Sequence, residues 1–328
     1  MKLFTLPIRT ALTLLALFAL FATISAKAQE YPDRTVKLVV PFAAGGGGDI
    51  IGRLVARKLG EQLKQAVIVD NKPGASSIIA TDFVAKAAPD GYTVLLNVPL
   101  IVQTLSLFSK LPYDPLVDLM PLTLLGTTPL YFAANADKAP NGVVKEYVEL
   151  ARAQPKSYSY ASIGPGSTGH LLGYAFNGAN YLDALHIPYK GAAPATLALL
   201  NGEVASVFLD FVTLKSHVDS GKVRLLAITG TERSAQTPTV PTLAELGYSG
   251  FESGSWVGLF LPAKTAAPIV KRLADALQKT LADPEYVEAM TRYGYKTNHL
   301  TQPQFAAMVR SEYTRWSELI KKAGIKLD

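Results

Sequence analysis

Val36-Lys37-Leu38-Val39-Val40-Pro41-Phe42-Ala43-Ala44-Gly45-Gly46-Gly47-Gly48-Asp49-Ile50-Ile51 decides the fold of this chain. The run Val36 to Val40 is rich in β-branched residues and predicts a strand. Four glycines follow, and Asp49 can then cap a helix on which Ile51, Leu54, Val55, Leu59 and Leu63 share one face. Strand, glycine loop and helix together open a βαβ unit. In an open α/β sheet such a loop faces the crevice at the carboxyl ends of the strands.

The same alternation continues outward, with strands predicted at Ala66 to Val69 and Tyr92 to Leu96 and a helix at Ile78 to Ala87 between them. The extended stretch Leu122 to Ala133, interrupted by Gly126 and Pro129, can carry the chain into a second sheet. There, helices are predicted over Val143 to Ala153, Thr168 to Gly178 and Ala193 to Leu200. The strands are Tyr158 to Ala161, Ala184 to Pro188, Ala205 to Leu209 and Val223 to Thr229. Phe251 to Leu261 is long enough to bring the chain back. From Pro268 to Lys322 the pattern is helical, with Phe305, Met308, Val309, Trp316 and Ile320 spaced as a core-facing stripe. The expected fold class is therefore α/β: a two-lobed periplasmic-binding-protein fold with two hinge crossings. Residues 29–127 and 252–328 form one lobe and residues 128–251 the other. A cleft between lobes suits ligand capture by hinge closure.

Residues 1–28 read as a secretory signal. Lys2 and Arg9 precede an apolar run from Ala11 to Ile24, and Ala26-Lys27-Ala28 offers a cleavage site before Gln29. The chain is 328 residues long with formal charge +6, but the signal carries three of its 32 basic residues and no acidic one. That leaves 29 basic against 26 acidic residues, a charge of +3, scattered rather than clustered with aromatics. No nucleic-acid partner is expected, and export to the periplasm argues against ATP or NAD. The absence of cysteine removes disulfides, thiolate metal sites, a cysteine nucleophile and a lipoprotein anchor.

Glycines let backbone N–H groups turn toward a ligand, and a following helix start adds partial positive charge, so the loop from Phe42 to Asp49 suits an anion. Its candidate contacts are Phe42, Ala43, Ala44, Gly46, Gly47, Gly48 and Asp49. A second loop, Ser162-Ile163-Gly164-Pro165-Gly166-Ser167-Thr168-Gly169-His170, repeats the arrangement in the other half. Its GxGxxG spacing lacks the acidic residue of a dinucleotide site, since the next strand ends in Lys190. Ser162, Gly164, Gly166, Ser167, Thr168 and His170 are its candidate contacts, although Ser167 and Thr168 could serve only as caps and His170 could simply bond the loop. Asp210, ending a strand, faces the presumed cleft and could orient a ligand amine or a water, or bond a neighbouring loop. Two anion nests closing from opposite sides suit a small carboxylate, with no cofactor.

No catalytic constellation appears. His170, His186, His217 and His299 have no metal-binding spacing, no Walker lysine follows the glycines, and there is no GxSxG elbow.

Several segments, taken in order, resemble the tripartite tricarboxylate transporter substrate-binding proteins, or Bug family. They include Tyr31-Pro32 with Val39-Val40-Pro41-Phe42-Ala43, Asn71-Lys72-Pro73-Gly74-Ala75, Ala88-Pro89-Asp90-Gly91-Tyr92, Leu111-Pro112-Tyr113-Asp114-Pro115, Pro188-Tyr189-Lys190-Gly191 and Ala323-Gly324-Ile325-Lys326. The resemblance implies a monomeric, non-enzymatic receptor that delivers a small organic carboxylate to a two-component membrane permease. It also implies that backbone groups and ordered waters of the two loops hold the carboxylate. The Pro73 to Ser77 and Asn97 to Gln103 loops, with Ser76, Ser77 and Asn97, would line the cleft. Val98 to Val102 is more apolar here than in relatives, and Ser76-Ser77 replaces glycines, which points to a ligand with an aromatic or hydrophobic body such as terephthalate or nicotinate over citrate or malate. A receptor serving a signalling kinase and a periplasmic hydrolase or isomerase using Asp210 and His170 are the alternatives.

Overall fold

A computed structural model describes residues 31–298 and 300–327; the signal segment and His299 lie outside them. The deciding segment folds as β1 (Val36–Val40), a tight loop and α1 (Gly47–Leu63). The helix begins earlier than the capping role of Asp49 predicts. Gly46 is the N-cap and Asp49 sits in the first turn, its carboxylate reaching back to the Gly45 N–H at 2.9 Å. Ile51, Leu54, Val55, Leu59 and Leu63 are buried, as their spacing requires.

β2 (Val67–Asn71), α2 (Ile78–Ala85) and β3 (Thr93–Asn97) complete the first unit. Where a loop is expected after β3, α3 (Leu100–Leu107) forms instead: Pro99 is tolerated at a helix start, and Leu100, Ile101, Val102 and Leu107 bury themselves in the core. β4 (Leu119–Thr128) then leads through Pro129-Leu130 into β5 (Tyr131–Asn135), which belongs to a different sheet. That second sheet is built by α4 (Val144–Ala153), β6 (Ser159–Ser162), α5 (Thr168–Asn180), β7 (Leu185–Pro188), α6 (Ala192–Leu200), β8 (Ser206–Leu209), α7 (Phe211–Asp219) and β9 (Val223–Ile228). α7 is not anticipated by periodicity; Asp210 caps it by accepting from the Thr213 N–H at 3.0 Å. β10 (Ser255–Pro262) returns the chain to the first sheet. The helical tail divides into α8 (Ala267–Ala282), α9 (Pro284–Arg292) and α10 (Gln302–Ala323), because Asp283-Pro284 restarts the helix and residues 293–298 are not helical.

The two sheets have matching orders, β2-β1-β3-β10-β4 and β7-β6-β8-β5-β9. In each, four strands run one way and one runs against them. The opposed strand, β10 or β5, is the one that arrives from the other lobe. In both sheets the order reverses at the strand that a glycine loop follows, β1 or β6, so both sheets place a topological switch point where a glycine loop leaves the sheet.

The first lobe packs Val39, Leu95 and Phe260 against Phe305, Val309, Trp316 and Ile320 of α10. Met308 of the same stripe is only partly buried. The indole N–H groups of Trp256 and Trp316 both donate to Glu312 Oε2, at 3.1 and 3.2 Å, which satisfies two buried donors with one carboxylate. The second lobe has an apolar layer on each face of its sheet, one around Phe132, Tyr147, Phe176 and Phe208, the other around Tyr131, Val207, Leu209 and Phe211. No described helix is long and apolar enough to cross a membrane.

Candidate functional site

Four helices begin at the seam between the lobes. α1 starts at Gly47, α5 at Thr168, α6 at Ala192, and α7 follows its N-cap Asp210. Gly46, Gly47, Gly48, Thr168, Gly169, Ala192 and Asp210 line one cavity of about 50 Å³. Each helix start carries partial positive charge, which would favour an anion placed in the cavity, although Gly47 N–H is already bonded to Thr213 Oγ1 and Thr213 N–H to Asp210. The remaining walls of the cavity are mostly apolar, with Phe42, Val98, Leu130, Ile163 and Phe208, and also carry Thr128, Ser255 and Tyr295. The volume has room for about three to five waters.

The seam is closed by direct bonds. Gly47 N–H donates to Thr213 Oγ1 at 2.9 Å, and Ala43 N–H donates to the Lys190 carbonyl at 3.1 Å. Ser76 Oγ donates to the Pro165 carbonyl at 2.7 Å, and Gln103 Nε2 donates to Thr168 Oγ1 at 2.9 Å. Close approach requires glycine at Gly47, where a Cβ would lie 2.3 Å from Asp210 Oδ2.

Of the residues singled out in the sequence, Phe42, Gly46, Gly47, Gly48, Thr168 and Asp210 come together on this cavity. The others support it from outside. Ala43 and Ser76 bridge the lobes. Ala44 stays in the turn ahead of the N-cap. Asp49 is buried behind the glycine loop, accepting from Gly45 N–H, Arg53 Nε and Asn71 Nδ2. Burial pushes its carboxyl up, but those hydrogen bonds hold it below the usual carboxylate range. Ser77 and Asn97 are buried together, Asn97 Nδ2 donating to Thr81 Oγ1 at 3.1 Å. Within the second loop, Ser167 caps α5 and Gly166 N–H donates to His170 Nδ1 at 2.9 Å. Gly166 also packs against Leu107 and Leu327, and Gly164 faces Ser76.

Ser162 sits behind this loop with His186, whose Nε2 lies 2.7 Å from its Oγ. Ser162 Oγ also donates to the Gly164 carbonyl and accepts from Gly164 N–H. One assignment satisfies all three contacts: the serine proton goes to the carbonyl and His186 Nε2–H donates to the serine. His186 then cannot serve as a base for that hydroxyl. The rings of His170 and His186 stack at 3.8 Å, and burial pulls their pKa values down to about 4 and about 3, the charge of His170 adding to the effect on His186.

Asp210 carries the one carboxylate on the cavity wall. Burial raises its pKa, while the Thr213 hydroxyl and N–H, both bonded to Oδ1, oppose the rise. Tyr295, beside it, is pushed well up by burial and by the Asp210 charge. Thr213 and Tyr295 are not singled out by sequence, and Gln103 and Gly169 lie in the expected loops without being candidate contacts. Thr213 alone had a local signal, since Asp-x-x-Thr matches an N-cap and its N3 position. No group of His, Cys, Asp and Glu able to hold a metal ion occurs among the described residues.

Two α/β lobes joined by paired crossings, with helix starts converging on the seam, define a solute-binding receptor of the periplasmic type. A model of the tripartite tricarboxylate transporter family receptor matches residues 51–325. The chain is 35% identical to the protein BugT of Bordetella pertussis over 96% of its own length and 98% of that protein. It is 37% identical to the periplasmic binding protein BugD, whose structure it matches with a TM-score of 0.86 over 90% of this chain and 99% of that one. An R. palustris protein solved with adipate is 31% identical, with a TM-score of 0.86 over 90% and 99% of the two chains. The chain belongs to the tripartite tricarboxylate transporter receptor family.

Proposed function

We propose that this protein is exported to the periplasm, where it captures a small organic carboxylate between its lobes as a monomer and delivers it to a two-component membrane permease. The convergence of four helix starts on one interlobe cavity carries this reading. The adipate bound to the R. palustris relative supports a carboxylate as the ligand.

A carboxylate with a hydrophobic or aromatic body is favoured over citrate or malate. Support comes from Phe42, Val98, Leu130, Ile163 and Phe208, which offer an apolar surface beyond the helix starts. Val98 is the one residue of its apolar run on the cavity; Leu100, Ile101 and Val102 are core. A ligand at a hundred times its dissociation constant adds about 2.7 kcal/mol to stability, enough for a thermal-shift screen. Terephthalate, nicotinate, adipate, malate and citrate form the panel, followed by isothermal titration. Tight citrate binding with none for aromatic acids or adipate would sink the ligand preference, and no binding by any acid would sink the receptor reading.

A further inference from the structure

Asp210 has an unusual place for a site that receives anions. Its Oδ1 is occupied by the Thr213 N–H at 3.0 Å and the Thr213 hydroxyl at 2.6 Å. Its Oδ2 lies over Gly47, at the first turn of the helix from the opposite lobe, on the wall of the cavity. No cation among the described residues pairs with it. On α1, Arg53 is bound to Asp49. On α7, Lys215 is bound to Asp219. On α5, His170 takes the Gly166 N–H on its Nδ1, and the segment after α9 presents Tyr295. The charge of Asp210 therefore rests on Thr213 and on helix starts, against the cost of burial.

We infer that capture of a carboxylate here takes up one proton, shared between the ligand and Asp210. The inference rests on the carboxylate reading of the site. Two carboxylates enclosed in one small, water-poor cavity cannot both stay ionised, so the pair titrates with one value well above the ordinary carboxylate range. The proton comes from solvent as the lobes close and lies in an O–H···O hydrogen bond between the two groups; it returns to solvent on release. The shared proton turns an apparent repulsion into a hydrogen-bonded contact.

The sign follows directly. The proton is held more tightly in the complex than in the separated partners, so affinity rises as pH falls through the pair's raised value. Full coupling gives about tenfold tighter binding per pH unit.

Isothermal titration at about pH 7 in buffers of different ionisation enthalpy counts the protons, with terephthalate, nicotinate, adipate and malate as probes, all ionised there. Close to one proton per ligand is expected for each acid that binds, and a value near zero in Asp210→Asn. Binding without proton uptake, or uptake unchanged in Asp210→Asn, overturns the inference. If none of the acids binds, it is the receptor reading that fails. Should Asp210→Asn not fold, Thr213→Val replaces it: losing the hydroxyl donor must raise the pH at which uptake is half-complete, and an unchanged midpoint overturns the assignment to Asp210.

Discussion

Asn71, the last residue of β2, donates through Nδ2 to Asp49 Oδ1 at 3.0 Å, and the same amide meets the Phe42 carbonyl at 3.0 Å. Asp49 in turn holds Gly45 N–H. The glycine loop is thus pinned at its Phe42 end by Asn71 and at Gly45 by the Asp49 carboxylate, neither of which lines the cavity. Asp49→Ala leaves the Gly45 N–H and the Asn71 amide without their acceptor. The expected loss is about 2 kcal/mol of stability, a few degrees in Tm, with weaker ligand binding. Because the Asp49 carboxyl is held low in the folded state, its contribution is present above the ordinary carboxylate pKa and disappears as pH falls through the folded value. Melts of wild type and Asp49→Asn therefore differ at neutral pH and converge at strongly acid pH. Arg53, more than half exposed, adds little, and Arg53→Ala stays within about 1 kcal/mol of wild type.

Gly47→Ala places a Cβ 2.3 Å from Asp210 Oδ2, and both atoms belong to firmly held elements, so the lobes cannot meet as they do here. Ligand affinity should drop at least tenfold, about 1.4 kcal/mol, with little change in secondary structure by circular dichroism. Gly178→Ala serves as control. Nothing lies within 4 Å of a Cβ there, so affinity should hold while α5 gains about 0.5–1 kcal/mol from the lost backbone freedom.

The loops at Phe42 to Asp49 and Ser162 to His170 were legible because each is written locally, as strand, glycines and helix start. The helix starting point was not: glycine at Gly46, Gly47 and Gly48 reads as loop until packing against Asp210 and Thr213 draws two of them into α1. α3 was hidden for the converse reason, its uniformly apolar run carrying no period that separates a buried helix from a lining loop. The partners that close the site, Gly47 with Thr213 and Gln103 with Thr168, are 166 and 65 residues apart in sequence. No local pattern encodes such contacts. They follow from the matching sheet orders, which bring the two switch points face to face.

The His170 and His186 pair makes the second lobe sensitive to acid. Both rings are held neutral by burial, with values of about 4 and about 3, against about 6.5 in an unfolded chain. A group with a depressed histidine pKa contributes stability that is complete above the unfolded value and lost as pH falls from there toward the folded value. Between about pH 6.5 and 4, each ring that gains a proton on unfolding removes at most about 1.4 kcal/mol per pH unit, less for His186, whose edge meets solvent. Urea unfolding across that range should show the loss. His186→Gln, which keeps a donor for Ser162 Oγ, should flatten the slope by about half, and an unchanged slope would show that other groups dominate.

Ser76 and Ser77 offer a way to separate stability from closure. Ala75, Ser76 and Ser77 adopt positive φ in succession, at 44°, 51° and 70°, a left-handed turn that costs a residue with a Cβ about 1 kcal/mol. Glycine relieves that cost, offset in part by the freedom it adds to the unfolded chain. Ser77→Gly should therefore leave Tm unchanged or slightly raised, since the Ser77 hydroxyl makes only a 3.5 Å contact with Asn97 Nδ2. Ser76→Gly gains the same relief but loses the 2.7 Å bond from Oγ to the Pro165 carbonyl, which exists only when the lobes are together. Its stability should match that of Ser77→Gly while ligand affinity falls by about two- to tenfold, the effect of one hydrogen bond on a closing equilibrium. The fall should appear mainly in the dissociation rate by stopped-flow, because the lost bond holds the closed receptor shut. Equal affinities for the two variants would mean that the Ser76 bond does not bias closure.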